Sequence, residues 1–511
     1  VTMALNTLDK EYIEQEELRS QTRAAIAGKY EVLKIITCLP GPQYKTFTSF
    51  QGMNEQALAQ AQRCNAQNAL RVNSYWSRGR WFPATGRTYE TLGGMVWSKE
   101  PEQDIQPKLE YLVDNADGAG CGLREVAQKV TAEVIAVARY GILVDMPASP
   151  VNEIGERVQL TAAQNEDPKF MPKWIQYKAE QIVYFRNSGK SNSIDEVRLT
   201  EVHSVQNPKD KFNWEDKVFI RRLVIDEGVY YNELYNDKDE LIGRVRPVAN
   251  GQFMTEIPFQ FFGADDNSPE YSKLPLYDLA NVNLGHFVLD CDNRDNLHFH
   301  GQGMTNVFVE DGDTFTQDNP NGLDVGAKGK NQFGINDRVE ILQLDATGAI
   351  PAEMLRDEDR MVMSGAQLVT DNSANETLGA KRIDANASMS ALKRISYNIS
   401  DGFKQLFTWT AQFLGEESTS IYKLNSDFIT DDLTPEMINA HMALVQGNIL
   451  PAITLNEVAR KAELTDLDDS EIAQALIDQN LLTGGTSEEQ ASVQAQLDAA
   501  LEEIAALKAS E

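Results

Sequence analysis

Residues 286–300 read HFVLDCDNRDNLHFH, a stretch that holds His286, His298 and His300 together with Cys291, Asp290, Asp292 and Asp295. Imidazole, thiolate and carboxylate are the donor groups of transition-metal sites, so the residue types suit a metal-dependent enzyme. Their spacing argues the other way. Leu276, Ala280, Leu284, Phe287, Val288 and Cys291 recur at helical period, which predicts a helix from Pro275 to about Leu297. On such a helix His286 and Cys291 diverge by roughly 140° around the axis, while Cys291 and His298 share a face but stand about 10 Å apart along it. A zinc ion takes all its ligands at roughly 2.0–2.3 Å, and no three of these residues converge to that distance unless the helix breaks. His298 and His300 could share a site if they were extended, but a pair of ligands is too few. The expectation is no metal and no cofactor. A metal-dependent enzyme using the His286, Cys291, His298 and His300 region is the rival reading.

Other catalytic patterns are weaker. GQGMTNVF and GAKGKNQFG carry glycines and lysines, but neither matches a phosphate-binding GxxxxGK[ST] or GxGxxG between a strand and a helix. There is no GxSxG elbow and no HExxH. Asp145 and the DDNS run at 265–268 read as solvated loop carboxylates, ordinary in a chain with 77 acidic residues. Nothing specifies an active site, and the chain is expected not to be an enzyme.

The whole-chain charge narrows the function classes further. Lys and Arg total 47 against 77 Asp and Glu, a formal charge of −30 over 511 residues. A chain this acidic is not a general nucleic-acid binder, because phosphate affinity comes mainly from Lys and Arg and the counterions they release. It suits a surface that does not stick to a polyanion. Cys38, Cys64, Cys121 and Cys291 form no CxxC pair and read as free thiols. The opening VTMALNTLDKEYIEQEELRS has neither a basic nor an apolar signal region, and no run of eighteen apolar residues occurs. No membrane association is expected.

The elements that must position these residues follow from pattern. Residues 4–36 and 53–82 read as helices, separated by CLPGPQY. PATGRTYETLGGMVW at 83–97 reads as turn residues followed by an apolar stretch. Val126, Val130, Val134 and Val137 mark one face of a helix that runs into the strand-like YGILVDMP. Residues 170–263 are rich in β runs and predict a mostly antiparallel unit, with NDKD at 236–239 as a hairpin turn. Residues 298–350 are glycine- and asparagine-rich with short β pieces, and Pro351 opens another helix in its first turn. The polar TDNSANET at 370–377 precedes a long helix of roughly 378–414, with Met389, Leu392, Ile395, Ile399, Phe403, Leu406 and Phe413 on its buried face. Residues 431–511 are helical by pattern. The fold class is α+β.

Two stretches carry a resemblance: NSYWSRGRWFPATGRTYETLGGMVWSKEP at 73–101 and LEYLVDNADGAGCGLREVAQKVTAEVIAVARYGILVDMP at 109–147. They resemble tailed-phage portal proteins of a portal-like group long catalogued as a domain of unknown function. In that group a Y-x-x-R-x-x-(F/W) helix precedes RTxxGLxGMVFxKxP, and a DxDGxGxSL segment ending in GRxGILVDxP follows. The matching residues include Tyr75, Trp81, Arg87, Thr88, Gly94, Met95, Lys99, Pro101, Asp117, Gly118, Gly120, Glu133, Gly141, Asp145 and Pro147. PLYDLANVNLGHFVLDCDNRDNLHFHGQGMTNVFVEDG and MVMSGAQLV resemble later motifs of the group, so the likeness covers most of residues 53–415. Tyr140 departs from the Arg usual before the glycine, and the first 50 residues match loosely.

The resemblance implies a ring, commonly twelve-fold, at one vertex of a phage head, with double-stranded DNA passing through its axis. It implies a wing at 1–274 (helical over 1–150, β-rich over 170–263), a stem helix at 275–297, a clip at 298–350 and a second stem helix at 351–369. A tunnel loop at 370–377, a long helix with the wing return at 378–430 and a helical crown at 431–511 complete it. The tunnel-loop residues would be Thr370, Asp371, Asn372, Ser373, Asn375, Glu376 and Thr377, whose short polar and acidic side chains would repel the duplex and leave a low-friction path. Asp290, Asp292, Asp295 and Arg294 are the stem residues that would face the channel, and Lys328, Lys330, His298 and His300 would meet partners at the clip. The implied partners are the terminase large subunit, head–tail adaptor proteins and the major capsid protein. The implied location is the virion, at the capsid vertex, after assembly in the host cytoplasm. A portal-like capsid component without a DNA channel is a third reading.

Overall fold

The computed structural model describes residues 8, 10–35, 55–146, 170–187, 194–207, 210–249, 251–300, 304–309, 312–318, 333, 336, 338–342, 348–368, 390–428, 456, 467, 471–472 and 474–475. The chain divides into two compact units, Val1–Ser426 and Asp427–Glu511. The architecture below is that of the first, and it mixes helix and sheet as expected. Among the described residues no helix is long and apolar enough to cross a membrane.

Helix α1 (Lys10–Ala27) and the short α2 (Lys29–Lys34) are divided by Gly28, whose φ of 95° is open to glycine at little cost. Helix α3 (Glu55–Arg78) matches the expected long helix. Residues 84–96, read from sequence as turn residues and an apolar stretch, instead form α4 (Ala84–Val96). Strand β1 (Glu102–Asp104) and helix α5 (Tyr111–Asn115) lead into α6 (Leu123–Val137), which buries Val126, Val130, Val134 and Val137 as the pattern required. The helix stops at Ala138 in a left-handed conformation, and the chain enters β2 (Arg139–Asp145).

Strand β2 is buried almost throughout, because it lies between β3 (Lys173–Lys178) and β11 (Phe259–Gly263) in a three-stranded antiparallel sheet. Gly141 is needed there: a Cβ would come within 2.3 Å of the Phe259 ring. Asp145 is not the solvated loop carboxylate the sequence suggested. It ends β2 beside Arg221 and Asn232, and burial holds its carboxyl above the ordinary value despite Arg221.

The expected antiparallel unit is a five-stranded meander of β4 (Ile182–Asn187), β5 (Ile194–Asn207), β6 (Asp210–Asp226), β7 (Val229–Tyr235) and β8 (Leu241–Val245), with the 236–239 turn joining the last two. A chain of ion pairs crosses it. Glu196 receives Arg198 and Arg222, Glu233 receives Arg222 and Arg244, and Glu201 receives Arg221. The small pair β9 (Val248–Ala249) and β10 (Gln252–Phe253) links this sheet to β11.

Helix α7 (Tyr277–His300) follows and buries Leu279, Ala280, Leu284, Phe287 and Cys291. Beyond it, β12 (Met304–Phe308) and β13 (Arg338–Leu342) pair antiparallel and enclose the short α8 (Gly312–Asp318) in sequence. Helix α9 (Ala349–Gln367) then packs back on α7. Helix α10 (Ala391–Phe413) is the core helix of the unit. Leu392, Ile395, Ile399, Phe403 and Leu406 are buried as expected, and Trp174 sits against the rings of Phe403 and Phe407 at 5.6 and 5.4 Å. Met389 and the expected start of this helix at 378 lie outside the described residues. Ser390 caps it, its side chain accepting from the Lys393 amide. Strand β14 (Ile421–Lys423) returns to pair with β1.

Candidate functional site

The polar residues of α7 are positioned from two sides, by α3 with the 79–83 loop and by α9. On the first side the backbones come very close. A Cβ at Gly79 would fall 2.3 Å from the Cys291 Sγ and 2.9 Å from the Phe287 ring. That approach lets Phe287 stack on Trp76 at 6.0 Å and buries Cys291 completely. Burial, with Asp290 and Asp292 adding to it, pushes the Cys291 thiol up to about 12, so it is a packing group and an unreactive one.

All three aspartates of the stretch are engaged within the chain. Asp290 is nearly buried, and its Oδ2 accepts from the Arg80 amide at 2.6 Å while both its oxygens accept from Arg294 Nε. Asp292 accepts from the Tyr75 hydroxyl at 2.7 Å, and burial together with that carboxylate raises the tyrosine's pKa. Asp295 pairs with Arg78. The resemblance implied that these aspartates would face a channel. Apart from Arg294, one turn on along the same helix, their partners sit more than 200 positions away, on α3 and just after it.

Asn283, which the sequence did not single out, is fully buried about two turns before Asp290 on the same helix. Its Oδ1 accepts from both the amide and the hydroxyl of Thr85, and its Nδ2 donates to the Phe82 carbonyl. Pro83 at the N-cap of α4 offers no side-chain acceptor, so Asn283 supplies the cap from across the fold. That non-local cap, together with the burial of Leu92 and Val96, supports a helix over residues 84–96.

On the other side of α7, His286 is buried against Phe82 with its Nε2 3.4 Å from Glu358 Oε1 of α9. The distance is within ion-pair reach, yet neither ring nitrogen makes a hydrogen bond of good geometry. His286 and Cys291 thus meet different neighbours. Among the described residues, no three His, Cys, Asp or Glu side chains are grouped so as to hold a metal ion.

The helix does not end at Leu297. It continues through His298 to His300, because no glycine or proline interrupts it before Gly301. His298 and His300 therefore belong to its last turn, and not to an extended exit. His298 lines an open cavity of about 590 Å³ together with Lys29, Arg78, Arg80 and Arg294. Lys29 Nζ donates to the Ser77 and Gly79 carbonyls at the end of α3, which fixes that wall. Sequence reasoning did not single out Lys29 or Arg80, since only the fold brings residues 29, 78–80 and 294 together. Thr370, Asp371, Asn372, Ser373, Asn375, Glu376, Thr377, Lys328 and Lys330 lie outside the described residues.

Comparison with known proteins adds the following. The family described as "Domain of unknown function (DUF4055)" matches residues 275–414, the stretch from the start of α7 to the end of α10. No curated protein matches the chain. Among solved structures, a chain of the "Neck of native GTA particle computed with C12 symmetry" is similar at 10% identity and a TM-score of 0.37, over 76% of this chain and 90% of that one. A chain of the "Neck of empty GTA particle computed with C6 symmetry" is similar at 10% identity and a TM-score of 0.36, over 77% and 90%. Likenesses of that strength decide neither fold nor role.

Proposed function

We propose that the chain is a portal-type head–tail connector subunit: a structural protein of a phage particle, assembled as a ring at the capsid vertex, through which double-stranded DNA passes. The observation that carries this reading is the succession from α7 to α9. Helix α7, packed on α1, α3 and α4, is followed by a module closed by the β12–β13 pair, and a second helix packs back on α7. That succession is what a stem, a clip and a returning stem require, and it falls in the segment where the portal-like motifs were read. In this reading residues 370–377 form the tunnel loop, and Lys328, Lys330, His298 and His300 stand at the clip toward terminase or adaptor proteins. In this reading the aspartates of α7 fix the stem to α3. No catalytic step is assigned.

Mass photometry tests the proposal. A discrete species many times 57.0 kDa is expected, with an axial opening in negative-stain images. A stable monomer at micromolar concentration would sink it, and stoichiometric zinc in the purified protein would favour the metal-dependent enzyme instead.

A further inference from the structure

The cavity at the end of α7 stands out against the charge of the chain. Its walls carry Lys29, Arg78, Arg80, Arg294 and His298, and among the described residues no acidic one lines it, although acids outnumber bases 77 to 47 in the sequence. Two of these side chains are engaged by carboxylates that are not part of the lining. Asp295 engages Arg78, and Asp290 takes Nε of Arg294, which leaves other guanidinium N–H groups to point away from the pair. Lys29 gives two of its three N–H donors to carbonyls at 3.0 and 2.5 Å. The Arg80 side chain is exposed, and its backbone amide, by bonding Asp290, fixes where it starts. The result is a set of basic side chains around an open space of about 590 Å³, with Asp290 and Asp295 outside its lining.

We propose that this cavity binds a phosphate group. Its ligand needs several strong acceptor oxygens on one centre to use donors arriving from α2, the end of α3 and α7 at once. A phosphate offers that, and paired guanidinium forks are its usual recognition chemistry. A single carboxylate would reach only part of the wall. Two sources share this chemistry, the backbone of a nucleic acid and a free phosphate or nucleotide. The inference does not rest on the proposed ring, since every residue of the wall comes from one chain.

The test is isothermal titration calorimetry on the full chain with three probes: inorganic pyrophosphate, a 20-base-pair duplex and an acidic peptide of equal charge. Variants Arg80→Glu and Lys29→Met are compared with Lys404→Glu, an exposed cation on α10. Saturable binding of pyrophosphate or duplex is expected, weakened at least tenfold by Arg80→Glu and unchanged by Lys404→Glu. Arg80→Glu keeps the backbone bond to Asp290, so its melting curve should stay that of the parent. Pyrophosphate binding with no duplex binding assigns the site to a free phosphate. Duplex binding that falls by tens of fold between about 50 and 200 mM salt assigns it to nucleic acid. No saturable binding of either, equal losses with Arg80→Glu and Lys404→Glu, or binding of the acidic peptide alone would overturn the proposal.

Discussion

Gly79 sets how near α3 and its following loop come to α7. A methyl group there has nowhere to go, because the obstructing atoms are the buried Cys291 sulfur and the Phe287 ring, which is itself stacked on Trp76. Gly79→Ala should therefore destabilise the fold by roughly 1–3 kcal/mol, the ordinary cost of overpacking, read as a lower urea midpoint at unchanged slope. Asn283→Ala removes the acceptor for the Thr85 amide and hydroxyl and should cost about 1–2 kcal/mol, with the loss of helix signal confined to α4 in hydrogen exchange. Neither residue announced itself in the sequence. Gly79 is one glycine in SRGRW, and Asn283 is one polar residue on a helix; their roles exist only through partners about 200 positions away. The histidines and aspartates of residues 286–300, conspicuous in sequence, sort instead by geometry. Helical spacing alone was enough to separate His286 from Cys291 and to bring Asp290 beside Arg294, whereas the partners on and after α3 were not readable from it.

Elements with a strong period were legible. The valine face of α6, the buried face of α10 and the antiparallel meander with its 236–239 turn were all readable, because each is a local pattern that burial then enforces. Helix α4 was not, since proline at its start and two glycines near its end read as turn chemistry and its cap comes from α7. The ion pairs across β5 and β6 were equally hidden, and they give the meander a pH dependence. Burial alone would raise the Glu196 and Glu201 carboxyls, but hydrogen bonds from Arg222 and Arg198 to the first, and from Arg221 to the second, outweigh it and hold both below the ordinary 4.5. A carboxyl depressed in the folded state contributes stability that is complete above 4.5. That stability is lost as pH falls below 4.5, because the unfolded chain takes up the proton first. The urea midpoint should thus be flat from pH 7 to 5 and drop between 4.5 and 3. Glu196→Gln should start lower at pH 7 and lose less over the acid range. A parallel acid loss in parent and variant would mean that other carboxylates carry it.

At the scale of the whole molecule the governing quantity is the charge of −30 per copy. Bringing many copies into the proposed ring would set like charges side by side, and the cost would fall as salt shortens the reach of each charge from about 30 Å at 0.01 M to about 8 Å at 0.15 M. If the subunits are held by packed apolar and hydrogen-bonded surfaces, salt removes the repulsion and leaves the attraction. The ring fraction at fixed protein concentration should then rise between 20 and about 300 mM NaCl by mass photometry, with an unchanged number of subunits. If instead acidic surfaces of one copy met cationic walls of the next, salt would screen the attraction and the ring fraction would fall over the same range. The cavity around Lys29, Arg78, Arg80 and Arg294 is a cationic wall of that kind. Arg80→Glu therefore separates the cases: it should leave the salt response of assembly unchanged while weakening phosphate binding at least tenfold. A ring that disappears with salt in the parent and fails to form in Arg80→Glu would move that cavity from ligand binding to the subunit interface.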